Sequence, residues 1–93
     1  MVDFKDILAL ADRIAKRFNP EWIILFGSYA AGTAGPDSDV DLLVVLPFEG
    51  KTWKMASTIR SYIRPSFPMD LLVRTPQQLR QRLAELITKN VSG

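Results

Sequence analysis

Asp39 and Asp41 bracket a single valine at the head of an apolar run that continues from Leu42 to Leu46 and stops at Pro47. A run of this length and β-branched character reads as a buried strand over Val40–Leu46. Side chains alternate along a strand, so the two carboxylates leave one face together while Val40 leaves the other. Two anions a few ångströms apart repel, which raises the pKa of one of them unless a cation lies between. Whatever fold forms has to accommodate that pair.

The chain contains neither histidine nor cysteine. Disulfides, Cys-based zinc sites and every imidazole mechanism are excluded, leaving carboxylates, hydroxyls, Lys, Arg, backbone amides or a hard cation held by oxygen. Ninety-three residues suffice for one small domain, residues 1–93, and leave no room for a second core. The start Met1-Val2-Asp3 is acidic, and the longest apolar run, Leu42 to Phe48, is too short to cross a membrane. A soluble, cytoplasmic protein is expected.

Around the aspartates the elements follow from periodicity. Phe4, Ile7, Leu8, Ala11, Ile14, Ala15 and Phe18 keep the helical period, with Asp3 as N-cap and Asn19-Pro20 as the stop. Trp22–Phe26 reads as a strand buried on both faces and ended by Gly27. The small-residue stretch 27–38 reads as a loop with room for one helical turn, and Gly35-Pro36-Asp37 is a turn signal in which Asp37 serves the turn.

Thr52 is positioned to cap a helix carrying Trp53, Ala56, Ile59 and Ile63 on one face and closed by Arg64-Pro65. Met69–Arg74 is a third strand. Thr75-Pro76-Gln77-Gln78 has the composition of a capping box, opening a last helix whose Leu79, Leu83, Leu86 and Ile87 are expected to face the core. The order helix, strand, loop, strand, helix, strand, helix indicates an α/β fold, a small mixed sheet covered by helices.

Asp70 heads the third strand between Met69 and Leu71-Leu72-Val73, where a charge needs a partner. If the second and third strands are neighbours, Asp70 joins Asp39 and Asp41, and three carboxylates can hold two Mg2+ ions for an in-line phosphoryl displacement. A lone aspartate at a strand end is ordinarily a turn or cap residue; three in this pattern point to a metal site. Gly27-Ser28, directly after the first strand, offers N–H and O–H donors suited to phosphate oxygens.

Gly27-Ser28, ten residues, then Asp39-Val40-Asp41 resembles the signature of the nucleotidyltransferase superfamily with a DNA polymerase β-like fold. Nearly the whole chain is similar to the minimal nucleotidyltransferases (MNT), the antitoxins of HEPN-MNT toxin-antitoxin pairs. The similarity runs through Ile23 to Ser28, Gly32, Ser38 to Val44, Met69-Asp70-Leu71 and the Thr75-Pro76 helix. That resemblance implies that Asp39 and Asp41 bind both Mg2+ ions, that Asp70 completes the site on the nucleophile side, and that Gly27 and Ser28 hold the β- and γ-phosphates of ATP or another nucleoside triphosphate. It implies transfer of AMP to a tyrosine hydroxyl on a HEPN-type helical partner.

One position departs from the pattern. The family commonly has Gly-Ser-x-Ala-Arg-Gly, where this chain reads Gly27-Ser28-Tyr29-Ala30-Ala31-Gly32. Losing that arginine removes a charge-assisted contact to the triphosphate, which favours an alternative: a catalytically silent module that binds a nucleotide or masks its partner. The formal charge is +2, from 12 Lys and Arg against 10 Asp and Glu. With Asp37, Asp39, Asp41 and Asp70 set aside, the remainder is decidedly basic and suited to phosphate-bearing ligands. Arg60, Arg64 and Arg74 lie near the third strand in sequence but read as solvated surface residues. Basic and aromatic residues are not interleaved as in RNA-binding modules, so RNA is not an expected partner. The short length implies that a separate chain, HEPN-type or a second copy, completes the cleft.

Overall fold

A computed structural model describes residues 1–92, with side chains described through residue 85. Helix α1, Phe4–Phe18, opens where the Asp3 carboxylate accepts the Lys5 N–H at 3.1 Å. It ends at Asn19, whose left-handed backbone (φ 49°) turns its N–H back to the Ala15 carbonyl. Asn tolerates that conformation better than most residues, and Pro20 cannot extend the helix. Strand β1, Trp22–Phe26, leads directly into the short helix α2, Gly27–Ala31, which takes up part of the expected loop.

Strand β2, Val40–Val45, is followed by helix α3, Thr52–Ile63, then strand β3, Met69–Arg74, and helix α4, Pro76–Ser92. Thr52 is the first residue of α3 rather than its cap. Lys51 holds the extended cap position, its carbonyl accepting the Lys54 and Met55 N–H groups, and no side chain caps the helix. The expected capping box does form at α4: Thr75 Oγ1 accepts the Gln78 N–H at 3.1 Å, and Gln78 Oε1 accepts the Thr75 N–H at 3.0 Å.

The sheet order is β1-β2-β3, with β1 antiparallel to β2 and β2 parallel to β3. A parallel pair needs a crossover, and α3 supplies it. Val40, Leu42, Val44, Met69 and Val73 point to one face and pack with Ile7, Leu10 and Ile14 of α1 and Ile59 and Ile63 of α3. Arg13 ties these helices together: its guanidinium donates to the Ile63 and Tyr62 carbonyls at 2.9 and 3.1 Å and sits over the Tyr62 ring. Tyr62 also meets Phe18 edge-to-face.

The opposite face carries three rows of residues, set by register. Phe26, Asp41 and Asp70 form the first, Ile24, Leu43 and Leu72 the second, and Trp22, Val45 and Arg74 the third. Strand β1 is therefore an edge strand with one covered face, not one buried on both: Ile23 and Leu25 pack toward the core while Trp22 is 63% exposed. Trp53, expected on the buried face of α3, lies in the first turn of that helix and is 66% exposed. Leu83 of α4 is 50% exposed instead of facing the core. The expectations for Leu86 and Ile87 fall outside the residues whose side chains are described. Among the described residues no helix is long and apolar enough to cross a membrane.

Candidate active site

Three chain segments meet at one end of the sheet: the β1–α2 junction, the start of β2 and the start of β3. At the junction Gly27 has φ +73°, in the left-handed region where a side chain is strained. A Cβ placed on it would overlap Asp41 Oδ2 and lie 3.0 Å from Asp41 Cγ. The backbone thus passes directly against the carboxylate, an approach open only to glycine. Helix α2 then closes on Gly32, with the Gly32 and Thr33 N–H groups both donating to the Ser28 carbonyl. Tyr29 packs against the core and accepts the Val2 N–H on its hydroxyl at 3.0 Å, fixing the orientation of α2.

The return to β2 is a tight turn over residues 35–38. Ser38 Oγ accepts the Gly35 N–H at 2.9 Å, and the Ser38 N–H donates to the Gly35 carbonyl at 3.1 Å. Asp37 sits inside this turn and is exposed, in keeping with its expected turn role. The next residue out is Asp39, also exposed, followed by β2. The Val40 N–H donates to the Pro68 carbonyl at 3.0 Å, which sets β3 beside β2 so that Asp41 pairs with Asp70. Arg60 reaches across from α3 to donate to the Met69 carbonyl, holding the start of β3 from the helical side.

Asp41 and Asp70 are therefore brought together by parallel register, while Asp39 lies just before the first paired residue of β2. The Asp41 carboxyl titrates above the usual carboxylate range. Loss of solvent is the largest cause, followed by the charge of Asp70, a hydrogen bond to Asp70, and the charge of Asp39. No base offsets these charges: among the described residues the one ion pair is Lys16–Asp12, on α1. Arg74, on the same face as Asp70 but four residues along the strand, donates to the Val73 carbonyl at 2.7 Å.

The donor set is made of hard oxygens with no ion-pair partner among the described residues, which is chemistry that suits Mg2+. Asp41 and Asp70 are in contact, whereas Asp39 acts on Asp41 through its charge. Among the described residues no three acidic side chains stand close enough to hold an ion as a complete set. A cation drawing Asp39 in would complete it. An open cleft of about 370 Å3 is walled by Tyr29, Asp37, Ser38, Phe67 and Pro68 and includes none of the three carboxylates.

Gly27, Ser28, Asp39, Asp41 and Asp70 all lie at this end of the sheet, but how they touch is not written in their spacing. The steric contact of Gly27 with Asp41 was not anticipated, nor was Phe26 in the row with Asp41 and Asp70. A glycine immediately after an aromatic, β-branched strand was the available signal for close backbone approach.

A family model described as "Nucleotidyltransferase domain" matches residues 7–92. No curated protein and no solved structure matches the chain. The three-stranded mixed sheet and four helices are consistent with the polymerase β-like nucleotidyltransferase fold.

Proposed function

Because the chain belongs to the nucleotidyltransferase domain family, we propose that it transfers AMP from ATP to a tyrosine hydroxyl of a HEPN-type helical partner and thereby acts as that protein's antitoxin. The observation that carries the catalytic part of this reading is the register pairing of Asp41 with Asp70 against the backbone of Gly27. Asp39, Asp41 and Asp70 would hold Mg2+, whose bound charge lowers the pKa of an attacking hydroxyl and offsets the charge of entering and leaving oxygens.

The chain's own residues supply position and shape. In this reading Asp70 would complete the site on the side of the attacking hydroxyl. Gly27 and Ser28 open α2 directly beside Asp41, where the Gly27 backbone and the Ser28 hydroxyl would hold the β- and γ-phosphates of the departing pyrophosphate. The Gly32 and Thr33 N–H groups close α2 on the Ser28 carbonyl. Asp39 and Asp70 are exposed, so a second surface must cover them to exclude water, which supports a protein acceptor that is also the wall of the cleft.

Ala31 favours a second reading. It is the last residue of α2, exposed, and places no cation beside the phosphates. A silent module would bind ATP or a HEPN-type partner without transfer. The two readings separate in one assay: the protein with Mg2+, α-labelled ATP and a helical partner encoded beside it, next to Asp41→Ala. Label on the partner, lost by a factor of roughly 10² or more in the variant, supports transfer. A tight complex with no label establishes the silent module instead.

A further inference from the structure

Arg60 of α3, which reads in the sequence as a solvated surface residue, donates from its guanidinium to the Met69 carbonyl at 2.6 Å. That carbonyl stands on an otherwise unpaired edge. Strand β3 ends the sheet, with β2 on one side and, among the described residues, no strand on the other. The Pro68 and Arg74 carbonyls accept the Val40 and Leu46 N–H groups at 3.0 and 3.1 Å, so the alternation of a parallel ladder turns the carbonyls of Met69, Leu71 and Val73 the opposite way. Arg60 bonds the first of these, and the Arg74 side chain bonds the last.

The bond reaches Asp70 through the peptide that joins it to Met69. A trans peptide unit is planar and points its carbonyl oxygen and its N–H in opposite directions, and no cis bond occurs among the described residues. With the Met69 oxygen held by Arg60 on the outer edge, the Asp70 N–H is aimed at β2, and the Asp70 Cα lies in the same plane. The segment entering β3 carries Pro65 and Pro68, neither of which has an N–H to donate. Arg60 itself springs from a rigid base. It follows the fully buried Ile59 and precedes the equally buried Ile63, and its own carbonyl accepts the Arg64 N–H that closes α3 at 2.9 Å. Among the described residues the one ion pair is Lys16–Asp12, so Arg60 acts on the backbone leading to Asp70 and not as a counter-charge to its carboxylate.

We propose that Arg60 is a positioning residue: by holding the Met69–Asp70 peptide it fixes the Asp70 carboxylate beside Asp41, in the arrangement that takes up Mg2+. The Mg2+ part rests on the proposed function, whereas the positioning of Asp70 does not.

Three variants test this. Arg60→Met keeps the apolar stem and removes the donor, Arg60→Lys restores a donor, and Arg74→Met removes the bond at the far end of the same strand edge. Amide hydrogen exchange followed by NMR should show the Asp70 N–H exchanging about tenfold faster in Arg60→Met, with the Leu72 N–H further along β3 unchanged. Arg60→Lys should recover most of the protection, and Arg74→Met should leave Asp70 as it was. Calorimetric titration with Mg2+ alone, without nucleotide, should show the dissociation constant raised about tenfold in Arg60→Met and unmoved in Arg74→Met. A merely structural role would lower the urea midpoint of Arg60→Met and Arg74→Met alike and leave Mg2+ affinity where it was. The proposal is overturned by unchanged Asp70 exchange in Arg60→Met, by the same acceleration in Arg74→Met, by no recovery in Arg60→Lys, or by an Mg2+ affinity that Arg60→Met leaves intact. If the unmodified chain takes up no Mg2+ while the exchange pattern holds, the metal reading falls and the positioning of Asp70 stands.

Discussion

Gly27 and Asp41 are in van der Waals contact across the β1–β2 pair, and the position that a Cβ would occupy on Gly27 is filled by the Asp41 carboxylate. The glycine backbone thereby borders the site on the side away from Asp70, and the positive φ of Gly27 turns the chain from strand into α2 at that point.

Gly27→Ala is expected to destabilise the domain by about 2–3 kcal/mol, of which about 1–2 kcal/mol is the left-handed backbone and the rest the collision with Asp41. Gly32→Ala is the matched control. Gly32 has φ +75° but a Cβ there would meet nothing within 4 Å, so the change should cost only the backbone part. Urea denaturation of both variants measures the difference; equal losses would show that the Asp41 contact has no energetic weight.

Asp41→Asn should raise stability while removing transfer. The Asp41 carboxyl binds its proton more tightly in the folded chain than in the unfolded one, because of its surroundings and the charges of Asp70 and Asp39. Ionised Asp41 therefore costs stability once pH climbs past the unfolded pKa, and the cost is fully present above the folded pKa. Thermal melts should show no advantage of the variant near about pH 4 and an advantage that grows toward about pH 7. An advantage that is constant with pH would contradict this account.

Added Mg2+ should offset the same repulsion in the unmodified chain. Ten times the dissociation constant of the ion stabilises by about 1.4 kcal/mol through mass action. A rise in melting temperature that EDTA reverses and that Asp41→Asn lacks is the expected result, read by scanning calorimetry without any substrate.

Arg13→Ala tests the helical layer behind the site. Its guanidinium serves two carbonyls at the C-terminus of α3 and covers the Tyr62 ring, so removal should cost about 1–2 kcal/mol. The variant should retain the far-ultraviolet spectrum, since the buried Ile14, Ile59 and Ile63 still join α1 and α3. Unfolding at unchanged denaturant concentration would show these bonds are exchanged for water at no cost.

Much of this architecture is legible in the residues alone. The helical periods of α1 and α3, the Thr75-Gln78 capping box and the three strands are local patterns, written in spacing and in capping chemistry that neighbours in sequence satisfy. Gly27-Ser28 marks the junction where the backbone has to turn.

What the spacing could not show was burial and adjacency. Trp22, Trp53 and Leu83 look like core residues by composition, yet each is at least half exposed. A hydrophobic side chain records a preference, and only the arrangement of elements decides whether that preference is met.

The sequence by itself determined the chemistry available at the site: carboxylates without histidine or cysteine, a strand-borne Asp39-Val40-Asp41 and a glycine-serine turn. The tertiary structure decided that Asp70 stands beside Asp41 and that Gly27 lies against it. The first depends on a parallel register reached through the α3 crossover, twenty-nine residues along the chain, the second on the antiparallel register of β1 with β2, and register of either kind is set by the packing of whole elements rather than by any local run of residues.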